Sequence, residues 1–188
     1  MSKGDETRER MVESATRLFM AQGYAGTGLK QILDEGDAPR GSLYFHFPGG
    51  KEELAAAVVE RHAEHFAEQM QVALEASPDA VAAVRAVIAQ LAQMVEGDAG
   101  VGCPVSVVAL EMADRSPVLQ KATHQTFTRW ASLLSAALVE EGTPKAEAAR
   151  RARALLCAVE GALVLARPAG DAGPLRDVAS VVPDLLGR

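Results

Sequence analysis

The sequence predicts an all-α protein of about nine helices. Apolar residues recur at helical spacing along nearly the whole chain, and glycine and proline fall between those stretches. Strand-type alternation is absent. The first stretch, about Thr7 to Gln22, sets Val12, Ala15, Leu18 and Phe19 on one face and ends at Gly23. Next comes a short stretch with Leu29, Ile32 and Leu33 inward, for which Thr27 is a plausible N-cap. A third starts beside Pro39, where proline suits a first helical turn, and runs through Leu43 to about His46.

From Lys51 to about Ala76 the pattern is one long, polar-rich helix with Leu54, Val58, Phe66 and Leu74 among its apolar members, stopped by Pro78. Val81, Val84, Ile88, Leu91 and Val95 mark the next, followed by a loop at Gly97, Gly100 and Gly102. Further helices are expected at about Pro104 to Ala113, Ser116 to Glu141, Lys145 to Ala166 and Leu175 to Leu186. Of the eight aromatic residues, Phe19, Tyr24, Tyr44, Phe45 and Phe47 lie in the first 47 positions. A unit that small gains by placing large rings at its centre. The rest of the chain packs mostly Ala, Val and Leu.

Composition narrows the function. The 188 residues carry 19 Lys+Arg and 25 Asp+Glu, a formal net charge of -6, which excludes a strongly basic nucleic-acid binder but leaves room for a local basic surface. No apolar run approaches the roughly 18 residues of a membrane-spanning helix, so a soluble protein with no membrane partner is expected. The charged N-terminus precedes no signal-type stretch, which points to the cytoplasm. Cys103 and Cys157 form no CxxC or Cys/His cluster, removing a disulfide framework and a zinc ribbon. His62 and His65, with Glu64 and Glu68, sit at i, i+3 on a polar helix without a third ligand and read as a solvated face rather than a metal site. Neither a metal nor a cofactor is expected.

The most informative stretch is Thr27 to Lys51. Two short helices separated by a few residues meet the needs of a helix-turn-helix, whose second helix enters the major groove. Residues 1 to 54 hold 7 basic and 9 acidic side chains, yet Ala38 to Lys51 contains no acidic one. Arg40, Ser42, Tyr44, His46 and Lys51 all offer donors suited to phosphates or base edges. Gly41 removes a side chain where the helix start must approach DNA. Lys51 opens the next helix, where positive charge and free backbone N–H groups together favour a phosphate.

These residues bring a resemblance into view. Arg17-Leu18-Phe19, Gly23-Tyr24, Thr27 and Arg40-Gly41-Ser42-Leu43-Tyr44 leading to His46-Phe47 resemble the DNA-binding domain of TetR/AcrR-type transcriptional repressors over about residues 8 to 58. Within that family the run from Ala38 to Leu54, Gly102-Cys103-Pro104-Val105 and Glu160-Gly161-Ala162-Leu163 look like the LmrA/YxaF-type subgroup. The resemblance implies that Arg40, Ser42, Tyr44 and His46 face double-stranded operator DNA and that Gly41 allows close approach. It implies that Thr27, Lys30 and Lys51 hold phosphates, while Leu43 and Phe47 are core. One departure is that the family's turn glycine falls at Asp37, with Gly36 just before it. Asp tolerates a left-handed conformation better than most residues, so the turn can survive.

The chain then divides into a helix-turn-helix DNA-binding domain, 1–50, and a helical ligand-binding and dimerisation domain, 51–188. One helix-turn-helix reads too few base pairs, so twofold pairing is expected. Leu155, Leu156, Val159 and Leu163 on one late helix, and Val178, Val182 and Leu185 on the last, are candidates for a homodimer interface; the alternative is that they cover the monomer's own core. Met94, Cys103, Val107, Leu110, Glu111, Phe127, Trp130 and Leu134 are candidates to line a cavity for a small apolar or aromatic effector, with ordinary core as the alternative. Trp130 stands out as the only tryptophan. Glu111 and Glu160 lie in apolar stretches, where an unpaired carboxylate is expensive, so each should be paired, solvent-facing or ligand-directed.

The function expected is a ligand-responsive transcriptional regulator, most simply a repressor that leaves DNA when the effector binds. Subgroup resemblance implies drug-like or aromatic natural compounds as effectors and export or detoxification genes as targets. The competing class is an all-α enzyme or ligand-binding protein with a hydrophobic pocket and no functional DNA recognition. No acid/base or nucleophile constellation supports an enzyme.

Overall fold

The computed structural model describes residues 3–97 and 102–188. Among these, nine α-helices and one short 3₁₀ turn form, and no strand: α1 Lys3–Gly26, α2 Leu29–Glu35, the 3₁₀ turn Arg40–Ser42, α3 Leu43–His46, α4 Lys51–Ala76, α5 Ala80–Glu96, α6 Pro104–Met112, α7 Pro117–Glu140, α8 Lys145–Ala169 and α9 Gly173–Leu186. The all-α expectation holds. The predicted Gly-rich loop falls largely on 98–101, outside the described residues, Gly100 included. Packing groups the chain into two compact units, one of Met1–His62 with Cys103–Thr126 and one of Ala63–Gly102 with Phe127–Arg188.

The first unit buries Met11, Val12, Ala15, Leu18, Phe19, Tyr24, Ile32, Leu33, Leu43, Phe47 and Leu54. The rings of Phe19 and Tyr24 meet at 5.3 Å in a tilted pair. Helical geometry is interrupted at Gly23, with φ 83 and ψ 165, which is where the sequence predicts the first helix to end. The cap of α2 differs from expectation: its N-cap is Gly28, and Thr27 makes no cap. The Thr27 hydroxyl instead donates back to the Gly23 carbonyl at 2.7 Å, an i to i−4 bond that competes with capping.

Two adjacent residues share the work of the turn after α2. Gly36 lies so close to Ser14 Oγ and to the carbonyls of Ile32 and Arg10 that a Cβ there would stand 3.1 to 3.2 Å from each. Asp37 takes the left-handed conformation, φ 45, the one such non-glycine position among the described residues. Arg10 locks the corner, donating through Nε to Gly36 O at 2.9 Å and through Nη2 to Asp37 O at 3.2 Å, a cation on the carbonyl end of a helix. The third helix also departs from expectation in its first turn. Ser42 N and Ser42 Oγ both bond Pro39 O, at 2.9 and 2.5 Å, and this i to i+3 closure makes Arg40–Ser42 a 3₁₀ turn.

The second unit packs small and branched residues: Ala83, Val87 and Ile88 of α5, Leu134 and Leu138 of α7, Ala152, Leu155, Ala162 and Ala166 of α8, and Leu175, Val182 and Leu186 of α9 are buried. Asp79 caps α5, accepting from Ala82 N at 2.8 Å. Glu141 Oε1 accepts from Ala80 N at 2.6 Å while its Oε2 pairs with Arg188 at 2.7 Å. Arg151 donates to Leu186 O at 2.5 Å, closing the carbonyl end of α9.

Asp37 sets a test of the turn. Replacing it by Gly removes the left-handed penalty and should leave stability unchanged or raised by up to about 1 kcal/mol, whereas Asp37→Val should lower it by about 1 to 2 kcal/mol. Urea unfolding of the two variants would contradict this account if the valine protein matched the wild type.

Candidate functional site

Leu43 and Phe47 are buried, as expected, and a helical stretch with both ends of its i, i+4 pair inward must turn positions between them outward. Tyr44 is 63% exposed and Phe45 80%. Arg40 and Gly41 are exposed, and Ser42 and His46 half-buried. The stretch from Arg40 to His46 therefore offers one outward surface of guanidinium, phenol, imidazole and an apolar ring. The Phe45 and His46 rings stand edge to face at 4.9 Å. Lys30 of α2 is exposed as well.

Phe45 departs from the expectation that grouped it with the rings at the centre of the unit. With Leu43 and Phe47 recognised as core, the four-residue separation between them was the signal that Phe45 points away. An exposed ring beside donors suits a thymine methyl or a sugar.

Three acidic residues of this unit, Glu52, Glu53 and Glu111, are turned to internal work. Glu53 Oε2 accepts from Gly49 N at 2.7 Å, and Glu52 Oε1 accepts a short hydrogen bond from the Ser116 hydroxyl, itself the cap of α7 through Leu119 N at 3.1 Å. Glu111 accepts from Tyr24 N at 2.9 Å and from Ala25 N at 2.7 Å. Of the alternatives open to Glu111, pairing within its own unit is the one realised.

Two expected phosphate holders have other partners here. Thr27 is only 2% exposed, with its hydroxyl on Gly23 O. Lys51 Nζ donates to Tyr24 O at 2.5 Å and lies 4.3 Å from the centre of the Tyr24 ring. Burial pushes the Lys51 ammonium below its usual range, and the Glu111 carboxylate opposes that. Burial raises the Tyr24 phenol, with Glu52 and Glu111 adding to the effect.

The second unit contains an almost wholly apolar cavity lined by Phe66, Met70, Leu74, Ala83, Val84, Val87, Ile88, Trp130, Ala131, Leu134, Ala152, Leu155, Leu156 and Val159. Its free volume is about 40 Å³. Trp130 donates its indole N–H to Ala63 O at 3.1 Å, and its ring meets Phe66 at 4.7 Å and Phe127 at 5.8 Å. Trp130 and Leu134 line this cavity, whereas Phe127 touches the Trp130 ring without being among the lining residues. Met94, Cys103, Val107, Leu110 and Glu111 are not among the lining residues. Met94 and Leu110 are exposed, Leu110 at 82%.

The stripes expected to pair two chains divide differently. Leu155, Val159, Leu163 and Val182 are buried within this chain, and Leu155, Leu156 and Val159 face the cavity. The exposed apolar residues of the same helices are Val164 and Leu165 of α8 and Val181 of α9, with Cys157 also exposed and Val178 and Leu185 half-buried. Burial against the other helices of the unit selects one stripe, and the neighbouring stripe remains outside. Periodicity alone does not separate two apolar stripes on one helix.

Among the described residues no group of His, Cys, Asp and Glu could hold a metal ion, and no helix is long and apolar enough to cross a membrane.

Trp130 and Leu110 separate a cavity residue from a surface one. Trp130→Ala should cost about 3 to 5 kcal/mol. Leu110→Ala should change stability by no more than about 0.5 kcal/mol. Equal losses in denaturant unfolding would overturn the assignment.

Comparison with known proteins identifies the family of the chain. The family profile described as bacterial regulatory proteins, tetR family, matches residues 12–58. That described as transcriptional regulator LmrA/YxaF-like, C-terminal domain, matches residues 80–181. The HTH-type transcriptional regulator LmrA of Bacillus subtilis (strain 168) is 37% identical over 189 residues, covering 100% of both chains. The uncharacterized HTH-type transcriptional regulator YxaF of the same organism is 34% identical over 188 residues, covering 100% of this chain and 98% of that one. The crystal structure of a TetR transcriptional regulator from Chloroflexus aurantiacus superposes with a TM-score of 0.84 at 30% identity, covering 100% of this chain and 98% of that one. With a helix-turn-helix at its N-terminus, an LmrA/YxaF-like region behind it and full-length relatives that are regulators rather than enzymes, this chain belongs to the TetR family of transcriptional regulators.

Proposed function

We propose that the protein is a homodimeric repressor that binds operator DNA through residues 1–50 and is released when a small apolar or aromatic effector enters residues 51–188. The observation that carries the DNA-reading assignment is the outward surface of Arg40, Tyr44, Phe45 and His46 on a stretch anchored by Leu43 and Phe47. Arg40 and Tyr44 supply hydrogen-bond donors to base edges or phosphates, and Lys30 adds charge at the edge of that surface. Net charge of -6 disfavours indiscriminate binding, so affinity for arbitrary sequence is modest and falls steeply with salt.

The effector site is the cavity around Trp130. Its walls are apolar and aromatic, which selects flat or aliphatic uncharged compounds over ions. At about 40 Å³ it is smaller than the usual small-molecule pocket, so its walls must yield for a ligand to enter. Ligand and operator then favour different conformations, and the coupling is the difference in their affinities for the two. Pairing of two copies uses the exposed stripe of α8 and α9, Val164, Leu165 and Val181, flanked by Val178 and Leu185. The protein acts in the cytoplasm, where its DNA is.

The test is binding of the purified protein to the DNA upstream of its own gene, against a random fragment, across a salt series. Arg40→Ala and Tyr44→Ala should each weaken selective binding by about tenfold to a hundredfold, as lost base contacts do, while thermal unfolding stays unchanged. Selective binding that survived both substitutions would refute the assignment of this surface, and a tightly bound apolar compound that left operator affinity untouched would refute the coupling.

Leu165→Asp places a charge on the proposed pairing stripe and should convert a dimer to a monomer in analytical ultracentrifugation. A variant that sedimented like the wild-type dimer would place the interface elsewhere.

A further inference from the structure

We propose that Glu111 of α6 is a positioning residue for DNA reading, holding the segment from which the helix-turn-helix departs. Glu111 binds two consecutive backbone amides, those of Tyr24 and Ala25, at 2.9 and 2.7 Å, one with each carboxylate oxygen. Both amides follow the break at Gly23, where helical i to i−4 bonding is interrupted and their donors need other acceptors. A Cβ at Gly23 would lie 2.5 Å from Glu111 Oε1, so the latch closes only over glycine, and φ 83 favours the same residue.

A charge of opposite sign holds the same segment from another helix. Lys51, at the start of α4, bonds the Tyr24 carbonyl and covers its ring. Carboxylate on N–H and ammonium on C=O are both charge-assisted hydrogen bonds, the stronger class. The segment so held also shapes the start of α2. Thr27 N bonds Tyr24 O at 3.2 Å, the Thr27 hydroxyl bonds Gly23 O, and α2 begins two residues later at Leu29. From α2 the chain passes through the Gly36-Asp37 corner, tied to Arg10, into the Arg40 to His46 stretch. Glu111 touches none of these outward residues, so it acts on DNA reading only through where α2 starts.

This inference rests on the DNA-reading role proposed above, and its test has an arm that does not need DNA. Glu111→Ala removes both acceptors, and Glu111→Gln keeps the shape but turns an NH2 toward one of the two amides. In the full chain, amide hydrogen exchange of residues 24–46 should accelerate by about tenfold in the alanine variant and by less in the glutamine variant, while α7 keeps its wild-type protection. Affinity for the upstream DNA fragment should fall by about tenfold, with an unchanged slope against log salt because no phosphate contact is lost. Exchange that is unchanged in 24–46, or accelerated equally through α7, would overturn the proposal, as would full operator affinity in Glu111→Ala. If the wild-type protein selects no DNA fragment, the DNA-reading role proposed for the Arg40 to His46 surface falls, and the exchange arm still decides whether Glu111 sets the order of residues 24–46.

Discussion

The first unit depends on the burial of Leu43 and Phe47. A helix of four residues, Leu43–His46, has no stability of its own, because nucleation costs more than one or two hydrogen bonds return. It exists because its two apolar ends enter the core formed with Met11, Phe19, Ile32 and Leu54. That burial fixes the helix's rotation and leaves Tyr44 and Phe45 no inward direction. The Arg8 guanidinium, 5.1 Å from the centre of the Phe47 ring, adds a cation–π contact to the same anchor.

Electrostatics follow from how the first unit spends its carboxylates. Glu52, Glu53 and Glu111 bind Ser116, Gly49 and the Tyr24-Ala25 amides, and Glu9 and Glu13 pair with Arg61 and Arg17. No acidic side chain occurs between Ala38 and Lys51, so the Arg40 to His46 stretch carries no negative charge of its own. A chain of net charge -6 can in this way present a local surface suited to an anion, since the field near a surface is set by its nearest charges within a Debye length of about 8 Å.

The second unit solves a different problem. It buries alanines, among them Ala83, Ala152, Ala162 and Ala166, and three rings, Phe66, Phe127 and Trp130, pack together within it. The indole N–H reaches the Ala63 carbonyl, so the largest side chain of the unit is buried without an unsatisfied donor. Met70, unbranched and adaptable, lines the cavity beside these rings.

Helical periodicity and Gly/Pro punctuation in the sequence were enough for the class of fold, the order of the helices and the break at Gly23, because those depend on neighbours within a turn or two. The left-handed Asp37 was legible too, since few residues other than glycine accept that conformation. Leu43 and Phe47 as core, and Arg40 and Tyr44 as outward, followed from the resemblance to the family motif. The partners of Thr27, Lys51 and Glu111 were not legible, for each is settled by a group 4 to 87 positions away that happens to lie within hydrogen-bonding reach. Nor was the choice between apolar stripes on α8. Leu155 and Val159 went inward and Val164 and Leu165 stayed outside because packing against the other helices of the unit, not the hydrophobicity of either stripe, decides which face a helix buries.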